Sequence, residues 1–234
     1  MQKILDKDIH IHLINLLTFV NHFGIFSEII SSDEKERLHK FKFEGDRGKA
    51  LLTYFIRRKI ISDYIDIPPE KLEFNYTSYG KPFLNPDKFS DIKFNYSHSG
   101  NYLLFAINKN SDIGVDIELI KRTLDLNRLA ENHFSDLEYN YFNSIKNDID
   151  RQVFFYKIWT RKESLLKALG TGINDDLKNL NVFWGKEEKN STNFLNYKGK
   201  NWIISDVHVP MNYFASLAYQ SEEVKNLNYC DTKL

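Results

Sequence analysis

Apolar and polar residues alternate in part over "IHIHLINLL" (9–17), which predicts an opening strand with His10 and His12 on one face. Such a pair is either the beginning of a metal site or part of a solvated edge strand, and no third ligand stands nearby in sequence. From 31 to 65 the spacing turns helical. Ser32 or Asp33 followed by acids is an N-cap signal, and the run divides into two helices near Gly45–Gly48. The second is amphipathic through Leu51, Leu52, Phe55, Ile56 and Ile60, and "IPPE" (67–70) ends it. "LEFNY" (72–76) predicts a strand, and "YGKPFLNP" (79–86) a turn shaped by Gly80, Pro82 and Pro86. Strands follow at "IKFNYS" (92–97), "YLLFAIN" (102–108) and "IGVDIELI" (113–120), with a hairpin at "SHSG". Helical spacing returns near 125–132, 135–145 and 150–169, closed by Gly170 and Gly172. The chain ends in strands at "LNVFW" (180–184), "WIISDVHV" (202–209) and "YFASLAY" (213–219), then a polar tail.

Both halves contain the same kinds of parts about a seam near Asp112. The order predicts an α+β fold of two similar, pseudo-twofold-related lobes, each a small, mainly antiparallel sheet packed with helices. Their bounds are 1–112 and 113–220, with 221–234 as the tail.

Composition narrows the function classes. The 234 residues, 42% hydrophobic with 18 Phe and 13 Tyr, suffice for a folded core. Thirty-two basic residues balance 32 acidic ones, so no global field favours nucleic acid or an anionic membrane. Cys230 is the sole cysteine, which excludes an intrachain disulfide and a thiolate metal cluster. Asp6, Asp8 and two histidines interrupt the apolar start, against a signal peptide, and no apolar run is long enough to cross a bilayer. The expectation is a soluble, cytoplasmic monomer.

Two stretches carry chemistry. In "GVDIE" (114–118), Asp116 and Glu118 share one strand face while Val115 and Ile117 share the other. Two carboxylates side by side suit a hard divalent ion, with a solvated strand face as the alternative. On the helix that carries "WTRKESLLKALG" (159–170), Phe154, Phe155, Ile158, Leu165, Leu166 and Leu169 form the core arc, with Glu163 and Lys167 one turn apart at its edge. An ordinary i,i+4 ion pair explains that spacing too. Lys162 falls inside the apolar arc, where an unpaired ammonium is costly, so its stem snorkels or it meets an acid, and the helix is expected to line a cleft. His98, between two serines, either donates to a phosphate or fixes its own turn. Lys81 sits on a proline-stiffened turn. Arg37, Lys49, Arg57 and Arg58 make an anion patch or an ordinary polar face. No glycine-rich nucleotide loop and no nucleophile elbow is present.

In order along the chain stand "YGKP", "FNYSHSG", "GVDIE" and "W-x-x-KES-x-x-K-x-x-G-x-G". That series closely resembles the surfactin-type 4'-phosphopantetheinyl transferases, whose signatures are a G-[IV]-D-x-E strand and a W-x-x-K-E-[SA]-x-x-K helix. The likeness spans roughly residues 30 to 185. It implies magnesium-dependent transfer of the 4'-phosphopantetheine arm of coenzyme A to a serine of an apo acyl, peptidyl or aryl carrier protein. Adenosine 3',5'-bisphosphate is then released; fatty acid, polyketide, nonribosomal peptide and lysine biosynthesis are the pathways such a transfer could serve, and the sequence does not choose among them.

By that resemblance Asp116, Glu118 and Glu163 hold magnesium, with manganese as an alternative ion, and Lys167 and His98 contact phosphate oxygens. Gly80, Lys81 and Pro82 lie along the adenosine, with Ser97 close by, and Lys162 shapes the cleft wall. Glu138 in "FSDLEYNYF" matches a family glutamate implicated in taking the carrier serine's proton. Arg37 and Lys49 are the basic positions toward the 3'-phosphate, since Glu34 and Ala50 stand where the family often has lysine and threonine. Lys121, Arg122 and Arg128 are available to an acidic carrier helix. Two other functions fit the same motifs: a non-catalytic coenzyme A or carrier-binding module of the same fold, and a magnesium-dependent pyrophosphate hydrolase.

Overall fold

The computed structural model describes residues 3–19, 23–89, 91–121, 124–172, 175–185 and 192–232. In chain order the elements are β1 (Asp8–Asn15), α1 (Phe23–Ile29), α2 (Ser32–His39), α3 (Glu44–Ile65), β2 (Phe74–Tyr76), β3 (Pro82–Leu84), α4 (Pro86–Phe89), β4 (Ile92–Ser99), β5 (Tyr102–Lys109), β6 (Ile113–Leu119), α5 (Leu126–His133), α6 (Asp136–Ser144), α7 (Asp148–Leu169), β7 (Thr192–Tyr197), β8 (Lys200–Asp206), β9 (Tyr213–Gln220) and β10 (Asn226–Tyr229). One sheet has the order β10-β1-β5-β4 and a second β6-β9-β8-β7, while β2 and β3 form a short ladder. The fold is α+β, and its strand pairs are antiparallel except β10 on β1.

Each sheet carries one helix of 22 residues. Leu52, Phe55, Ile56 and Ile60 of α3 pack with Phe94, Phe105 and Ile107. Phe155, Ile158 and Leu165 of α7 pack with Trp202, Ile204 and Ala218. A third core joins the sheets, with Ile9, Ile11, Leu104 and Ala106 among Val115, Ile117, Ile203 and Leu217. Each fully buried aliphatic there contributes about 1.5–3 kcal/mol, so the sheets adhere strongly. Because side chains alternate along a strand, Gly114, Asp116 and Glu118 of β6 point away from this core and toward α7.

Several boundaries differ from the sequence expectation. The N-cap of α2 is Ser31, whose side chain and that of Glu34 form a reciprocal capping box. The break between α2 and α3 comes at 40–43, so Gly45 and Gly48 lie inside α3, where Glu44 and Asp46 favour the positive end of the helix. Residues 180–184 pair with no strand among the described residues; Val182 donates instead to the Glu138 carboxylate at 2.7 Å. The strand next to β8 is β7, whose mixed polar composition hides it. The polar tail contributes β10, which returns to the first sheet alongside β1.

That return changes the reading of the two histidines. β1 lies between β10 and β5, not at an edge, and His10 and His12 are buried. Their Nδ1 and Nε2 atoms, respectively, meet the Tyr64 hydroxyl of α3 at 2.8 and 3.0 Å. The second ring nitrogen of His12 bonds the Thr232 hydroxyl at 2.7 Å. This is a hydrogen-bonded latch between tail, strand and helix, without the ligand set of a metal.

Burial, then His10, pushes the His12 pKa from 6.5 down to about 4. A depressed pKa supports folding above the unfolded value and loses that support as pH falls from 6.5 toward 4. Urea unfolding should therefore show about 2 kcal/mol less stability at pH 5 than at pH 7.5 from His12 alone. The His12→Gln variant should have a visibly flatter pH profile.

Candidate active site

The site begins where strand and helix touch. A Cβ added to Gly114 would lie 2.1 Å from the Ser164 carbonyl oxygen and 2.2 Å from the Ala168 nitrogen. Side-chain-free backbone at 114 therefore lets β6 lie directly on α7. The strand's next inward residue, Asp116, then reaches Lys167, whose ammonium bonds Asp116 Oδ1 at 2.6 Å.

The other flank is a zipper of side chains. β4 and β6 run side by side in the same direction without a backbone ladder. Asn95 Oδ1 accepts from Val115 N at 2.9 Å, Ser97 Oγ donates to Asp116 Oδ1 at 3.0 Å, and Ser99 Oγ donates to Glu118 Oε2 at 2.8 Å. Ser99 also accepts from Leu119 N at 3.1 Å, and Lys167 donates to Ser97 Oγ at 2.8 Å. The sequence pointed to Ser97 but missed Asn95 and Ser99. Their signal was polar residues at alternate positions of an otherwise apolar strand.

The structure brings Asp116, Glu118, Glu163, Lys167 and Ser97 together. Asp116 is 2% exposed and Glu163 8%, which rules out a solvated strand face. Burial, then Asp116, raises the Glu163 pKa to about 7, while Lys167 opposes the shift. Burial, then Asp116, also raises Glu118, and the Ser99 hydrogen bond opposes it. Among the described residues no three His, Cys, Asp or Glu side chains converge as a ready-made ion cage. Yet Asp116 Oδ2 and Glu163 Oε1 are buried without a hydrogen-bond partner. Bare acceptor-only oxygens in a set of crowded carboxylates suit a hard divalent cation such as magnesium, which needs oxygen ligands and keeps several waters.

Beside these acids lies a cleft of about 380 Å³ lined by Tyr79, Gly80, Lys81, Pro82, Tyr96, Glu163 and Lys167, among others. The turn before it is tight: Gly80 has φ +83°, Gly80 N donates to Thr77 O at 2.9 Å, and Thr77 N to Lys81 O at 2.9 Å. Gly80 and Pro82 thus border the cleft. The Lys81 ammonium turns across the seam to the carbonyls of Ile113 and Ala168, at 2.9 and 3.1 Å.

Other expected site residues go elsewhere. Lys162 is 1% exposed and pairs with Glu138 at 2.6 Å, while also donating to the carbonyls of His133 and Leu177. It meets an acid in a sealed core instead of lining a cleft. Glu138 is fully buried and accepts from Ser135 N, Val182 N and Lys162, so its carboxylate is engaged by the fold. Arg57 and Arg58 are buried too, paired with Glu34, which removes them from any anion patch. Arg37 lies 3.8 Å over the Tyr76 ring, and Lys49 is exposed on α3. His98 is exposed at the end of β4, its pKa lowered by lost hydration and then by Lys167 and Lys49. Arg122 lies outside the described residues.

Residues 112–218 match the 4'-phosphopantetheinyl transferase superfamily, and residues 19–110 match the family described as 4'-phosphopantetheinyl transferase, N-terminal. The 4'-phosphopantetheinyl transferase HetI of Nostoc sp. is 35% identical over 172 residues, covering 73% of this chain and 72% of that protein. The 4'-phosphopantetheinyl transferase gsp of Aneurinibacillus migulanus is 33% identical, covering 75% and 69% respectively. The L-aminoadipate-semialdehyde dehydrogenase-phosphopantetheinyl transferase of Xenopus laevis is 29% identical, covering 88% and 72%. The chain belongs to the 4'-phosphopantetheinyl transferase family.

Two outcomes follow from this geometry. Gly114→Ala should destabilise the protein by about 1–3 kcal/mol and sharply reduce activity, since its Cβ forces β6 off α7; thermal unfolding and a transfer assay check both. Glu163→Gln should do the reverse to stability. A carboxyl raised from 4.5 to about 7 weakens the fold as pH rises through that window, so the amide should raise the melting temperature at pH 8 in chelator by roughly 5 °C. At pH 5 the two proteins should melt nearly together.

Proposed function

We propose that this protein transfers the 4'-phosphopantetheine of coenzyme A to a serine of an apo acyl, peptidyl or aryl carrier protein, with magnesium, releasing adenosine 3',5'-bisphosphate. The observation that carries this reading is the convergence of Asp116, Glu163 and Lys167, with bare carboxylate oxygens, beside the cleft bordered by Gly80 and Pro82. Family membership supports the same reading.

Asp116, Glu118 and Glu163 would hold magnesium, which when bound supplies positive charge to the pyrophosphate oxygens. Lys167, already desolvated on one side by Ser97 and Asp116, offers a second cation to the phosphate. The cleft edge from Tyr79 to Pro82 takes the adenosine, and the exposed His98 and Lys49, with the half-buried Arg37, offer donors to the phosphates. The carrier hydroxyl attacks phosphorus as the bisphosphate leaves, and its proton needs a base. With Glu138 engaged by Lys162 and two backbone amides, and the other acids holding magnesium, the proton would pass to water beside the acid cluster. An acidic carrier helix is matched by Lys121 and Arg128, both exposed beside Leu124.

Incubating the protein with coenzyme A, magnesium and a panel of apo carriers should add the phosphopantetheine mass to a carrier serine. Chelator should abolish transfer, and Asp116→Asn or Glu163→Gln should slow it on the order of 10³-fold or more. Tight coenzyme A binding without transfer to any carrier would leave the binding module standing, and pyrophosphate cleavage without carrier would indicate a hydrolase.

A further inference from the structure

Lys81 does not behave as a ligand side chain. It leaves a turn whose backbone is fixed by the Thr77 bonds and by Gly80, then crosses from the first lobe into the second. There it bonds two carbonyls that belong to different elements, Ile113 at the start of β6 and Ala168 in the last turn of α7. Ala168 is also one of the residues that Gly114 touches. The end of α7 is shaped to receive the same turn. Gly170 and Gly172 have φ of +69° and +67°, and a Cβ on Gly172 would meet the Tyr79 ring at 3.1 Å. Terminal helix carbonyls lack intrahelical donors and carry partial negative charge, so a cation placed there binds well.

We propose that Lys81 is a positioning residue: by joining the Ile113 and Ala168 carbonyls it pins β6 to the last turn of α7 and sets Glu163 and Lys167 against Asp116. The role rests on the transferase reading and adds to it a division of labour, with backbone and prolyl ring of the turn facing substrate and the ammonium facing the protein. Two of the three ammonium protons are already used by carbonyls, so the group has little to offer a phosphate. Burial lowers its pKa to about 8, which still leaves it charged at neutral pH.

The test compares wild type, Lys81→Met and Lys81→Arg, with coenzyme A, magnesium and an apo acyl carrier protein as probes. Lys81→Met should lower kcat by ~10–100-fold while KM for coenzyme A stays within about threefold, and Lys81→Arg, which keeps a cation, should recover most of kcat. Amide exchange, which needs no turnover, should speed up at 168–171 in Lys81→Met and remain unchanged in α3. If Lys81→Met does not fold, Lys81→Gln carries the same comparison. A KM raised more than about tenfold with kcat intact would make Lys81 a coenzyme A ligand and overturn the proposal. So would unchanged kinetics and exchange. A wild type that binds coenzyme A but transfers to no carrier would instead sink the transferase reading, and the exchange result would still decide the role of Lys81.

Discussion

A strand and a helix touching backbone to backbone at Gly114 is the contact on which the site depends. Sheets and helices normally pack about 10 Å apart because side chains fill the gap between them. Removing the side chain at one position closes that gap locally and brings a carboxylate two residues further along within reach of a lysine on the helix. The glycines that end α7 make room for side chains of the turn at Tyr79–Pro82, since a Cβ on Gly172 would meet the Tyr79 ring at 3.1 Å.

Buried charge then separates scaffold from chemistry. Glu34 meets Arg57 and Arg58, Glu138 meets Lys162 and two backbone amides, and Asp206 meets Arg161 through two bonds of 2.8 Å. Each of those acids is satisfied, as a buried ion must be if the fold is to tolerate it. At the seam Asp116 takes the Lys167 ammonium, and two carboxylate oxygens of Asp116 and Glu163 are left bare. Burial, then Asp116, raises the Glu163 pKa, and the bare oxygens make the cluster a receptor for positive charge.

Much of this was legible in the chain. Alternation placed Asp116 and Glu118 on one face of a strand, and helical spacing put Glu163 beside Lys167, because both depend only on local geometry. Gly80 and Pro82 announced a turn for the same reason. Lys162 shows where such reasoning stops. Its place in an apolar arc correctly demanded a partner or an escape, but the partner, Glu138, lies on another helix, and periodicity carries no information about which helix that is. The same holds for Glu34, whose neighbours in space are two arginines more than 20 residues away.

Local pattern therefore settled which residues share a face, where turns fall and which side chains are chemically equipped. Long-range packing decided which equipped residues meet. It joined β4 to β6 through side chains, drew the tail back onto β1, and turned Lys81 from the cleft toward two carbonyls. The reason is that period and propensity act over a few residues, whereas pairing of buried charge and closure of a sheet edge are free-energy terms between segments that only the folded chain brings together.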